Sequence, residues 1–214
     1  LTLDAGDAEG WKQAKKRCLS RPGIDVQTLS QDLSRPRSAK DLIRYCNRQD
    51  WEISLVVNNA GFGDHGDFLD TDVETHQQML ILNCFTPVTL AHHYLDEGCD
   101  VINVASTAAY QPLPGFASYA ATKWYVYAWS VALNQEVDEH VLTVCPGPTN
   151  TGFADRAGIT ADMFEHGDTP GMVAAQAIDA YDDERDVCIT GWKNKVFAAL
   201  SRMIPPSWLA RLIR

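Results

Sequence analysis

The chain has 214 residues, 45% hydrophobic and 21% charged, which suits one globular domain with a single sizeable core and argues against disorder. Its 18 Lys and Arg against 28 Asp and Glu leave a formal charge of −10, which repels phosphate backbones and argues against nucleic acid as a partner. The six cysteines, at 18, 46, 84, 99, 145 and 188, form no Cys-x-x-Cys and no zinc spacing, and the histidines show no ligand pattern, so no metal is expected. Scattered cysteines of this kind read as small buried hydrophobes in a reducing, cytoplasmic setting. The longest apolar run, Trp124 to Leu133, is about ten residues, whereas a spanning helix needs ~20. LTLDAGDAEGW at the start has no signal-peptide pattern.

Short β-rich runs alternate with longer helical patterns, which predicts an α/β fold with a parallel sheet. Residues 1–3 read as the end of a strand, 9–19 as a helix closed by Pro22-Gly23, and 24–29 as a strand. Leu42, Ile43 and Cys46 recur on one side of a helix over 38–48. Residues 54–61 are a buried strand running into a turn, 72–96 two helical stretches joined near Asn83, and 101–106 a strand. A long helix is predicted over 117–137, then a strand over 141–148 stopped by prolines. Residues 149–169 lack helix or strand periodicity, and loops of this length act as lids. Phe153, Ile159, Met163 and Phe164 give that loop an apolar side, which would close over a ligand or simply join the core. A helix over 170–181 with proline in its first turn, a strand over 187–191 and two helical pieces split at Pro205-Pro206 complete the chain.

The chemistry gathers at strand ends. Ser106 ends one strand, Asn58-Asn59-Ala60-Gly61 lies at another and Pro146-Gly147-Pro148-Thr149 at a third. In parallel sheets such ends form one ligand crevice. Tyr119 and Lys123 lie four apart on the long helix and so share a face. A tyrosine at its usual pKa of about 10 is a poor base at neutral pH, and a cation one turn away favours its phenolate. Bland readings compete: Ser106 as a turn cap, Asn83 as a solvated or helix-kinking residue, and Asp32 as a helix N-cap.

DLS (32–34), NNAGFG (58–63), Asn83, Ser106, YAATK (119–123) and PGPTNTGF (146–153) together resemble the classical short-chain dehydrogenase/reductase family over nearly the whole chain. The resemblance implies a single-domain, Rossmann-like, doubly wound parallel sheet and an NAD(P)-dependent oxidoreductase interconverting an alcohol and a carbonyl. It implies Tyr119 as general acid/base, Ser106 on the substrate oxygen, Lys123 on the nicotinamide ribose and Asn83 positioning a water. Asp32, Leu33, Asn59, Ala60, Gly61, Pro146, Gly147 and Thr149, with Tyr119 and Lys123, would contact the cofactor. Asp4 and Asp7 flank the place of the ribose-binding acid, where Gly6 stands at the deciding position, and the reading leans to NAD over NADP.

The sequence departs from the family in one large respect. No G-x-x-x-G-x-G precedes residue 58, so the first strand and first helix, roughly 25–30 residues with their turn, are expected to be missing ahead of Leu1 by truncation. The 23 residues from Asn83 to Ser106 are also a few short.

The tail forms a unit of its own. The domain is assigned to 1–191 and an amphipathic helical extension to 192–214. Residues 187–214 hold Lys193, Lys195, Arg202, Arg211 and Arg214 and no acid, against −15 for the rest. Trp192, Val196, Ala199, Leu200 and Met203 make one helical stripe, which either packs on the domain, borders a lipophilic substrate pocket or rests on an anionic membrane. Helix 117–137 is apolar on nearly all sides through Ala121, Trp124, Tyr125, Ala128, Trp129 and Ala132, which predicts a homodimer or homotetramer paired through it. The competing readings of function are a non-catalytic binding scaffold of the same fold and a membrane-surface protein.

Overall fold

The computed structural model describes residues 2–3, 15–16, 18–20, 22–159 and 167–213. Six strands run β1 (Thr2–Leu3), β2 (Leu29–Ser30), β3 (Leu55–Asn58), β4 (Asp100–Val104), β5 (Val141–Cys145) and β6 (Val187–Ile189). All are parallel to their neighbours, in a β1-β2 pair and a four-stranded sheet of order β3-β4-β5-β6. Among the described residues no ladder joins the pair to the sheet, and β3 forms the outer edge of the larger piece. A cavity of about 250 Å³ runs along that edge, lined among others by Leu33, Val56, Asn58, Asn59, Ala60 and Leu82.

The predicted strand over 24–29 is mostly absent. Among the described residues only Leu29–Ser30 forms a ladder, in parallel register with Thr2–Leu3. Most of the predicted helix over 9–19 lies outside the described residues, although Lys15, Lys16, Cys18 and Leu19 are helical. Helices α1 (Ser38–Arg48), α2 (Val73–Leu80) and α3 (Thr86–Asp96) follow, the last two joined by a π-helical turn over Ile81–Phe85. Helix α4 (Ala117–Leu133) stops short of the predicted 137. Asn134 ends it: its Oδ1 accepts from Val141 N at 2.7 Å and its Nδ2 donates to Asp186 Oδ1 at 2.9 Å, which turns the chain into β5.

Alternation along the strands explains how both sheet faces are covered. Val101 and Val141 pack with Ala91, Leu95, Trp129 and Leu133 of α3 and α4. Their neighbours Ile102 and Leu142 point the other way, with Val144 and Cys188, onto Ala177, Ala180 and Tyr181 of α6 (Pro170–Asp182). Each such side chain removed from water stabilises by about 1.5–3 kcal/mol.

Residues 149–169 are not the uniform loop that the sequence suggested. Phe153–Arg156 form a short helix, α5, and a parallel bridge ties Thr149 to Asp168, closing the segment at its base. Ala154 and Ala157 are buried, so the first half is part of the core. Met163 and Phe164 lie outside the described residues.

Helices α7 (Trp192–Ser201) and α8 (Pro206–Ile213) close the chain. The apolar stripe of α7 faces outward, whereas α8 exposes Trp208 and Leu212 but buries Leu209. Ala198 and Ser201 are the buried side of α7, because small residues let the helix approach Ala105, Tyr110, Val126 and Cys145 closely.

Candidate active site

Three chain segments converge beyond the C-terminal ends of β3, β4 and β5. Ala105 N donates to Val144 O at 2.7 Å and Thr107 N to Pro146 O at 2.8 Å, so the turns after β4 and β5 are stitched together. Ser106 sits between these two donors. Its Oγ accepts from Ala108 N at 3.1 Å and caps the 3₁₀ turn Thr107–Tyr110, as the bland reading expected. That bond uses a lone pair of the hydroxyl, and the same hydroxyl also acts on the Tyr119 phenol.

Tyr119 and Lys123 occupy successive turns of α4. Lys123 Nζ donates to Val104 O at 2.8 Å and lies 5.9 Å from the centroid of the Tyr119 ring. Burial pushes the Lys123 ammonium down to about 8. Burial also drives Tyr119 up to about 12, with the Ser106 hydroxyl pulling in the opposite direction. Burial is the larger influence on the phenol, and the ammonium is directed to the Val104 carbonyl rather than to the phenol oxygen.

Asn83 is neither solvated nor idle. It is buried within the π-helical turn. Its Oδ1 accepts from Phe62 N at 3.1 Å, while its Nδ2 donates to Phe62 O at 2.9 Å and to Thr122 Oγ1 at 3.0 Å. The carboxamide thereby clamps the strip after β3 to α4. In that strip the glycines on either side of Phe62 leave little room: a Cβ on Gly61 would stand 3.0 Å from Asn83 Oδ1, and one on Gly63 would stand 2.9 Å from Tyr119 Cδ2. Below it, Asn58 Nδ2 donates to Asn103 Oδ1 at 2.8 Å and Asn103 Nδ2 to Ser130 Oγ at 2.9 Å, which links β3, β4 and α4 through buried amides.

The remaining sequence candidates sit on the stretches that follow β2, β3 and β5. Leu33 is buried, and Thr86 Oγ1 holds its carbonyl at 3.0 Å. Leu33, Asn59 and Ala60 line the cavity along β3. Asp32 is exposed and caps no helix, since Arg37 precedes α1 with φ +74°. Its carboxylate accepts from Ser34 N at 3.0 Å, Ser34 Oγ at 2.5 Å and Arg35 Nε at 2.9 Å, and the Ser34 hydroxyl above all holds it below the usual carboxylate range. Thr149 Oγ1 donates to Gly147 O at 2.9 Å, fixing the turn after β5.

Four contributors escaped the sequence reading as site residues. Phe116 and Phe153 stand 5.7 and 5.3 Å from the Tyr119 ring and give it an aromatic wall. Thr122 passes the Asn83 bond on to Tyr119 O at 2.7 Å. Asn194, at the start of α7, lies so close to Gly147 that any Cβ there would overlap its carboxamide. The TGF run offered a hint of Phe153; nothing in the sequence linked Asn194 to a turn 47 residues earlier.

The residues present fit a nicotinamide dinucleotide at two points. Gly61 admits close backbone approach beside Lys123 Nζ, and the cavity along β3 ends at Asn59 and Ala60. Among the described residues no cluster of three or more His, Cys, Asp or Glu could hold a metal.

Comparisons with known proteins agree with this fold. The short chain dehydrogenase family model matches residues 4–161. The chain is 34% identical over 116 residues to the probable oxidoreductase EphD of Mycobacterium tuberculosis, covering 50% of this chain and 20% of that protein. It is 30% identical over 155 residues to the oxidoreductase YvrD of Bacillus subtilis, covering 65% of this chain and 59% of that one. The chain thus spans well under two thirds of these curated relatives. A short-chain dehydrogenase from Sphingobium yanoikuyae in complex with NADPH superimposes with a TM-score of 0.77 at 25% identity, over 95% of this chain and 84% of that one.

Proposed function

Because the chain belongs to the short-chain dehydrogenase family, we propose that it interconverts an alcohol and a carbonyl by hydride transfer with NAD or NADP, with Tyr119 as the acid/base. One observation carries the reading: Ser106, Tyr119 and Lys123 converge at the end of β4, with Lys123 Nζ anchored to Val104 O at 2.8 Å. A binding scaffold would have no use for a buried ammonium one helical turn from a half-buried phenol.

The bound nicotinamide supplies the hydride acceptor or donor. Lys123 and the Asn59–Gly61 strip would hold its ribose side, with Pro146, Gly147 and Thr149 beside the nicotinamide and Asp32 and Leu33 near the adenine. Asp4 and Asp7 flank the ribose-binding position and lean toward NAD, while Gly6 at the deciding position favours neither cofactor. Ser106 donates its hydroxyl proton to the substrate oxygen and stabilises charge that develops there. Tyr119, held protonated by burial, gives its proton to that oxygen as a carbonyl is reduced, or accepts it in the reverse direction. Asn83 acts as a positioning residue that holds the glycine strip against Tyr119.

The Phe116 and Phe153 walls support a lipophilic substrate. The outer face of α4, where Ala121, Trp124, Tyr125, Ala128 and Ala132 are exposed, supports a homo-oligomer paired through that helix. All six cysteines are free, which supports a reducing cytoplasmic setting.

The decisive experiment is Tyr119→Phe, assayed with NADH and NADPH against a panel of lipophilic ketones and alcohols. Cofactor binding should persist while turnover falls about 10²–10⁴-fold. Undiminished turnover would remove Tyr119 from the mechanism.

A further inference from the structure

The two C-terminal helices expose an unusual surface. Trp192, Met203, Trp208 and Leu212 are 71%, 81%, 64% and 76% exposed, and Val196 and Leu200 lie in the same exposed arc of α7. At 100° per residue, Trp192, Val196 and Leu200 span roughly 80° of the helix circumference, with Lys195 on one flank and Lys193 on the other, and Met203 follows just past the end of the helix. On α8, Trp208 and Leu212 form a similar ridge, with Arg211 on its flank.

This face cannot be turned inward. Arg202, at the end of α7, lies 5.1 Å from the Tyr110 ring and 5.5 Å from the Tyr127 ring and donates to Tyr127 Oη. Asn194 Nδ2 donates to Thr190 O at 2.7 Å at the other end. The helix is pinned at both ends with its large apolar residues in solvent.

We propose that the outer faces of α7 and α8 lie on an anionic lipid bilayer surface, the tryptophans and leucines entering the headgroup boundary and Lys193, Lys195 and Arg211 meeting lipid phosphates. Charge selects this occupant. Residues 187–214 carry five cations and no acid, while the rest of the chain carries −15. An anionic surface attracts the tail and repels the body, so it binds the protein in one orientation. A second copy fits less well. Two-fold pairing through this face would set like charges against each other, and a contact between the basic tail and another copy's acidic body would not close into a defined oligomer. Exposed tryptophan beside flanking lysine is the composition of helices that lie in the interface. The inference is independent of the catalytic reading, since neither ridge contributes a residue to the Tyr119 site.

Flotation on a density gradient tests it, with vesicles of phosphatidylcholine mixed with phosphatidylglycerol set against vesicles of phosphatidylcholine alone. The protein should float with the mixed vesicles and stay behind with the neutral ones. Lys193→Gln and Lys195→Gln should each weaken binding about fivefold. The pair Trp192→Gln and Trp208→Gln should abolish flotation with thermal unfolding unchanged, and should blue-shifted tryptophan emission accompany wild-type binding, that shift should vanish in the pair. If the tryptophan pair fails to fold, the exposed lysine variants carry the test alone. No flotation with the mixed vesicles, or flotation indifferent to the lysines, would overturn the proposal. So would a fall in sedimenting mass of the tryptophan variant without lipid, which would make this face an interface between copies.

Discussion

Asn83→Ala should destabilise the fold far more than the loss of a small polar side chain suggests. The carboxamide uses its Oδ1 on Phe62 N and both Nδ2 hydrogens on Phe62 O and Thr122 Oγ1, at 2.9–3.1 Å. Alanine orphans the N–H and C=O of Phe62, at about 1–3 kcal/mol for each unsatisfied group. Thr122 suffers less, because its hydroxyl still donates to Tyr119 O at 2.7 Å. The expected loss is therefore about 3–5 kcal/mol, a large share of the 5–15 kcal/mol that holds a domain of this kind together. Urea unfolding followed by far-UV circular dichroism measures it. Thr122→Val should cost about 1 kcal/mol and couple to Asn83→Ala in a double-mutant cycle, since the two share a bond. A loss below about 1 kcal/mol for Asn83→Ala would refute the clamp and return Asn83 to the role of an ordinary buried polar residue.

The remaining predictions concern the same neighbourhood. Lys123 has a folded pKa of about 8 against 10.5 when unfolded, so its contribution to stability is fully present above 10.5 and is lost as pH falls through 8. Relative to Lys123→Met, the wild type should gain about 1 kcal/mol between pH 7 and pH 9, and parallel stability profiles would contradict the shift. Gly147→Ala should lower stability by about 1–3 kcal/mol in thermal unfolding, by forcing Asn194 and the first turn of α7 outward; adding Asn194→Ala should restore most of it. Trp124→Glu together with Tyr125→Glu should leave a monomer by analytical ultracentrifugation if copies pair through α4, whereas an unchanged mass would place the interface elsewhere.

How much of this was legible in the sequence follows from how local each signal is. The α1 range matched residue for residue because its apolar spacing reports the face that Leu42 presents to the core. The YAATK run placed Tyr119 and Lys123 one turn apart whatever the helix packs against, and Pro170 marked the first turn of α6. The strand predicted over 24–29 is seen only at Leu29–Ser30, because β-branched alternation signals a strand while the extent of its ladder is set by a partner distant in the chain.

Chain geometry and residue type therefore determined the α/β class and the order of elements, and put Tyr119 and Lys123 on one helix face with Ser106 at a strand end. Tertiary structure alone decided their electrostatics. Burial, which is a property of everything around a group, raised Tyr119 and lowered Lys123, whereas sequence spacing pointed only to their mutual attraction. It alone decided that Asn83 clamps Phe62, a contact across 21 residues of chain. And it decided which side of α7 faces inward: periodicity shows that a helix is amphipathic, but close approach to Tyr110 and Val126 demanded the small side chains of Ala198 and Ser201 and left the large apolar ridge in solvent.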